Sequence, residues 1–244
     1  MSVSTETPAL SRRTYWRDAA AVFTDTRTVV FAALIIALRV AVKFARIPLA
    51  AGLEISFDCY VNALGSLVYG PLMGLAVGAI SDTLGCILAP TGPYFLPFIV
   101  IEMSSSFLFG LFFWRRELSI PRVLLAKFTV NLVCNIVLTS IVMKWDYYVF
   151  YGVEKAEAYA LINLVRIVKN LVLFPLEAVL IVLVLRAAVP ALHAVGIRVG
   201  EQNLRFRPRH WIAVGALLLV SVGIVLLYVF FLKDFVSAHN IKWL

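Results

Sequence analysis

LINLVRIVKNLVLFPLEAVLIVLVL, residues 161–185, decides the class of fold. At about 1.5 Å per residue a helix of this length crosses the roughly 30 Å hydrocarbon core of a bilayer. Its charges are Arg166, Lys169 and Glu177. Arg166, Lys169 and Asn170 stand at i, i+3 and i+4, so a helix turns all three to one side. A charge at the bilayer centre costs from roughly 3 kcal/mol to far more, so such residues face protein or a water-filled cavity. Two cations and an amide on one side point to a pocket for an anionic molecule.

The composition agrees with a membrane protein. Of 244 residues 62% are hydrophobic and 15% charged, with a mean hydropathy of +0.93. The apolar residues come in continuous runs rather than in alternation, which argues against a β-barrel and for an all-α membrane protein. Residues 1–27 are polar, carry Arg12, Arg13 and Arg17, and lack a short apolar core followed by a small-residue cleavage site. They read as a retained tail. Cys59, Cys86 and Cys134 lie far apart, within or beside apolar runs, as small buried residues and not as a disulfide framework or metal cluster. The net charge of +8 resides mostly in tails and loops flanking the spans, so it argues for membrane topology and against nucleic acid.

Seven apolar segments follow: 28–44, 55–69, 72–88, 95–114, 121–143, 161–185 and 211–232. The second and third are short and divided only by Gly70-Pro71, a turn signal. Arginines cluster before the first segment, after the fourth (Arg115, Arg116, Arg122) and after the sixth (Arg186, Arg198, Arg205, Arg207, Arg209). If six spans alternate, these share one side, which the positive-inside rule makes the cytoplasm. The chain then divides into a cytoplasmic tail (1–27), a six-helix membrane domain (28–190), a basic cytoplasmic linker (191–210) and an extra transmembrane helix with its tail (211–244). The sixth span enters from outside, so the cationic cluster opens outward. No internal repeat divides the chain, which argues against a rocking transporter built from inverted halves.

Ala33, Ala37 and Ala41 form one stripe of small side chains, which lets helix backbones approach closely in lipid. The stripe serves either packing within the bundle or docking of a separate membrane subunit; spacing alone does not choose. Gly70, Gly74 and Gly78, continued by Ser81 and Gly85, form a second ridge suited to internal packing. Asp82 needs a buried partner, and Arg39 is one candidate. In Pro90-Thr91-Gly92-Pro93-Tyr94-Phe95-Leu96-Pro97 the prolines hold Tyr94 and Phe95, either to stack on a planar ligand or as an interfacial aromatic belt. Lys43, Phe44 and Arg46 close the first span at the same outer face, either snorkelling or gathered around carboxylates. On the fifth span Lys127, Asn131 and Asn135 share a side; Lys127 is expected at the cytoplasmic interface, with the amides as helix glue or pocket donors. The three histidines lie outside the spans, and no G-x-S-x-G, H-E-x-x-H or phosphate-cradling loop occurs. No enzyme chemistry, metal or cofactor is called for.

From about Val29 to Arg186, two-thirds of the chain, the sequence resembles the substrate-binding S components of energy-coupling factor (ECF) transporters, most closely the folate-specific branch. The stretches that carry the likeness are ALIIALRVAVKF (33–44), YGPLMGLAVG (69–78), DTLGCILAPTGPYF (82–95) and RIVKNLVLFPLE (166–177). The resemblance implies a six-helix S-component bundle that captures a vitamin from outside. It implies docking through Ala33, Ala37 and Ala41 on a transmembrane coupling subunit that carries two cytosolic ATPases. It also implies that Tyr94, Phe95, Arg166, Lys169 and Asn170 line the site, with Lys43 and Phe44 as a basic–aromatic pair; Arg46 and Asn131 complete the candidate set. A folate-like ligand suits these groups: a flat pterin for aromatics and amides, and two carboxylates for Lys and Arg. The segment 211–232 exceeds the six helices of that family, and Leu-Pro-Phe at 96–98 stands where Pro-Gly-Phe is usual. The competing readings are an S component for a different vitamin and a stand-alone secondary transporter.

Overall fold

The computed structural model describes residues 12–45, 47–50, 53–89, 95–158, 164–197, 199–200, 202–203, 219 and 223. Tyr94, Arg46 and nearly all of the expected seventh span lie outside the described residues, as does the side chain of Lys169.

Within the segment expected as an N-terminal tail lies a helix, α1 (Arg12–Ala21), running through a single 3-10 turn (Val22–Thr24) into α2 (Thr26–Lys43). The two axes differ by 77°. Asp25 makes the corner: its carboxylate accepts from the Thr28 backbone N–H at 3.2 Å and from the Thr28 hydroxyl, capping α2. The hydroxyl hydrogen bond, aided by the backbone one, holds the Asp25 carboxyl below its ordinary range. After α2 comes a two-stranded antiparallel hairpin, β1 (Ile47–Ala50) and β2 (Leu53–Ile55).

The longest element, α3 (Asp58–Leu88), contains the Gly70-Pro71 break at which the sequence divides two spans. Gly70 sits at φ +76°, ψ −173°, a backbone region that essentially only glycine enters. The two limbs fold back on each other here. Ser66, before the break, donates to the Ser106 carbonyl at 3.1 Å, and Gly74, after it, would place a Cβ 3.0 Å from that same oxygen. Two residues eight apart on a straight helix lie about 12 Å apart and cannot share one atom. The limbs are therefore an antiparallel pair laid on α4 (Phe98–Phe113). Close approach needs small residues, and Gly78 lies so near the α4 backbone that a Cβ would stand 2.8 Å from the Glu102 carbonyl. The second glycine ridge serves internal packing.

A short strand, β3 (Leu118–Ser119), leads into α5 (Ile120–Phe150). Then come α6 (Val153–Ala158) and α7 (Leu164–Ala194), and β4 (Gln202–Asn203) returns to pair in parallel with β3. Alternation of apolar helices 26–43, 58–69, 71–88, 98–113, 120–150 and 164–194 yields the all-α bundle. Its main core joins Tyr60 and Leu67 of α3, Phe109 and Phe113 of α4, Val123 and Val130 of α5 and Ile181 and Leu185 of α7. A second core joins Ala32 and Ile35 of α2 to Tyr69, Met73 and Val77. The three cysteines are free.

The hairpin depends on Gly70. A Cβ there would stand 2.7 Å from the Trp114 ring, in a backbone region that costs other residues about 1–3 kcal/mol. Gly70→Ala is expected to lower the thermal midpoint in detergent measurably; an unchanged midpoint contradicts this reading of the turn.

Candidate functional site

Helices α5 and α7 run antiparallel and meet along a line of polar side chains. Deepest is Lys127, whose Nζ stands 2.9 Å from Glu177 Oε2 and 3.2 Å from Cys59 Sγ of α3. Lys127 is 1% exposed, so it does not reach the cytoplasmic interface expected of it. A buried cation needs a counter-charge more than it needs water at a distance, and Glu177 supplies one.

Toward the other end of α5, amides take over. Asn135 Nδ2 donates to Asn131 Oδ1 at 3.1 Å and to Asn170 Oδ1 at 3.1 Å. Asn131 Nδ2 donates to the Asn170 carbonyl at 3.4 Å, and Asn170 Nδ2 to the Arg166 carbonyl at 2.9 Å. Arg166 Nη1 then donates to Ser140 Oγ at 3.1 Å. Three of the candidates read from sequence, Asn131, Arg166 and Asn170, therefore meet in one network.

The backbone of α5 makes that meeting possible. Residues Asn131–Leu138 form a π-helical segment within the helix. Nine residues of α-helix make about two and a half turns, which would turn Ser140 to the side opposite Asn131. The wider i→i+5 turn brings nine residues close to two turns and returns Ser140 to the same side. Such π segments occur often at functional sites. Ser140 is the partner that sequence spacing misses, because α-helical periodicity cannot register this widening; the asparagine pair at i, i+4, Asn131 and Asn135, is the part of the network that spacing does show.

The other candidates lie elsewhere. Phe95 is buried edge-on against Phe98, Trp145 and Phe150, with centroids 6.0, 5.6 and 5.9 Å away. Lys43 lies across Gly85 and is ion-paired with Asp82 at 3.3 Å, whereas Phe44 is exposed. Asp82 thus takes Lys43, not Arg39, as its partner. Arg39 is fully buried. It grips Asp58 through Nε at 2.9 Å and Nη2 at 2.7 Å, reaches Glu102 at 2.5 Å and donates to Ser106 Oγ at 3.2 Å. Around α2 two cations thus face three carboxylates. On the opposite side of α2, Ala33, Ala37 and Ala41 are exposed. A cavity of about 300 Å³ lies at the other end of the bundle, beside Asp18, Asp25, Thr28, Trp114 and Arg115. Its own cation, Arg115, is already engaged by Asp18.

Removing one partner of a buried charge cluster leaves the others uncompensated, at about 3–5 kcal/mol. Arg39→Met is expected to destabilise the bundle by this amount in chemical unfolding, with Asp58→Asn and Glu102→Gln together restoring most of it. A stability change under about 1 kcal/mol contradicts the clamp.

The chain is similar to known proteins. A folate transporter FolT of Clostridium novyi is 29% identical over 129 residues, covering 53% of this chain and 70% of the relative. A folate transporter FolT of Leuconostoc mesenteroides is 28% identical over 155 residues, covering 63% and 81%. A crystal structure of FolT bound with folic acid superposes with a TM-score of 0.52 at 26% identity, over 63% of this chain and 88% of that one. Residues 23–191 match the family described as the S component of the ECF-type riboflavin transporter. That match spans well over half of the chain, which therefore belongs to this family of multi-pass membrane S components of ECF-type vitamin transporters.

Proposed function

We propose that this subunit captures folate, or a closely related anionic vitamin, from outside the cell and holds its carboxylates on the α5–α7 network. The observation that carries this reading is the convergence of Arg166, Asn131 and Asn170 on one polar line. Lys169, one turn from Arg166 on α7, adds a second cation. The family description names riboflavin and the relatives name folate. The chemistry favours folate: riboflavin is flat and uncharged, whereas folate brings two carboxylates to match two cations. Tyr94 and Phe95 serve the planar ring; Lys43, Phe44 and Arg46 belong to the outer rim.

Delivery follows from α2. Its alanines 33, 37 and 41 form a smooth exposed strip, suited to a transmembrane coupling subunit whose two ATPases supply the energy. The N-terminus lies in the cytoplasm, residues 28–190 form the binding domain, 191–210 a linker and 211–244 a further membrane helix. The subunit binds and releases its ligand unchanged.

Titration calorimetry of the purified chain tests the ligand. Folate is expected to bind and riboflavin not, and Lys169→Ala to weaken folate about tenfold to a hundredfold through loss of a charge-assisted contact. Equal affinity in the variant contradicts the role of α7. Ala37→Leu is expected to keep folate binding while losing the coupling subunit on co-purification, because the added branch separates the backbones; a retained complex excludes the strip.

A further inference from the structure

We propose that α1 with its following turn lies in the membrane plane and docks on anionic lipid headgroups. Helix α2 spans the bilayer, and the helical segment before it is turned by 77°. A helix at nearly a right angle to a spanning one runs along the surface. Its outward side fits that position. Trp16, Ala20 and Phe23 stand at i, i+4 and i+7, with Trp16 42% and Phe23 47% exposed. Arg17 and Arg27, both exposed, flank this ridge. Aromatic side chains that are apolar yet amphipathic settle at headgroup level. Arginines beside them are drawn to anionic lipids.

The inward side is fastened to the bundle. Tyr15 meets the Trp114 ring edge-on at 5.0 Å, Asp18 pairs with Arg115, and the part of the Trp16 ring that is not exposed stacks on Phe107 at 6.3 Å. The second carboxylate of the segment, Asp25, is engaged by Thr28. Asp18 is thus cancelled by Arg115, whereas Asp25 keeps its charge and is outnumbered by the exposed Arg17 and Arg27. That charge balance selects phosphatidylglycerol-like headgroups over zwitterionic ones.

The test uses the full chain in nanodiscs mixing phosphatidylcholine with phosphatidylglycerol, the retained lipids being counted by native mass spectrometry. The wild type is expected to enrich phosphatidylglycerol. Arg17→Gln with Arg27→Gln should reduce the enrichment by about fivefold per arginine. The control, Arg122→Gln with Arg186→Gln, removes equal charge elsewhere and should leave most of it. Equal losses in both pairs, or none in the first, overturn the proposal. A second measurement does not depend on charge. The fluorescence difference between wild type and Trp16→Phe should be quenched by lipids brominated near the headgroup end of their chains. Quenching by aqueous iodide alone overturns the proposal and points to a surface kept for a soluble protein.

Discussion

Within hydrocarbon a charged side chain has no water to turn to, so every buried charge must find its counterpart in protein. This constraint organises the bundle. Arg39 draws α2, α3 and α4 together through Asp58, Glu102 and Ser106. Lys127 does the same for α3, α5 and α7 through Cys59 and Glu177. Apolar packing fills the space between these clamps, but helices sliding past one another in lipid lose little hydrophobic energy. Specific polar pairs are what resist such slippage.

The same rule separates structure from site. Charges that cancel are structural, and the three carboxylates around Arg39 and Lys43 leave nothing there for an anion. At α7 Arg166 donates to the Ser140 hydroxyl, and its carbonyl accepts from the Asn170 amide. An ion pair would have to be broken to admit a carboxylate, whereas a neutral serine gives way at the modest net worth of one hydrogen bond, about 1.5–3 kcal/mol for a charged donor. The network therefore holds Arg166 in place beside Asn131 and Asn170.

Much of this was legible in the sequence. The apolar runs specified helices, and Gly70-Pro71 specified the hairpin because a positive φ in a transmembrane helix leaves glycine as the residue of choice. The spacing of Arg166 and Asn170 placed them together on α7. Pairing across helices was less legible, since it depends on relative depth and rotation. Asp82 was matched to Arg39 when one turn further along α2 lay Lys43. Lys127 was drawn to the cytoplasm because its partner, Glu177, is fifty residues away on another helix. Ser140 was hidden by the π segment, whose wider turn leaves no mark in hydropathy. The ten-residue helix Arg12–Ala21 leaves no mark as a span, because its sequence is too short and polar to register in hydropathy.

The account stands on α5 and α7 presenting a cation to an anionic, flat molecule. An experimental structure of the chain with folate tests this most directly. The expected result is a ligand carboxylate within hydrogen-bond reach of Arg166, which has left or now shares Ser140, with the pterin toward Phe95. Folate bound away from these two helices, with the contact of Arg166 to Ser140 unchanged, would contradict it.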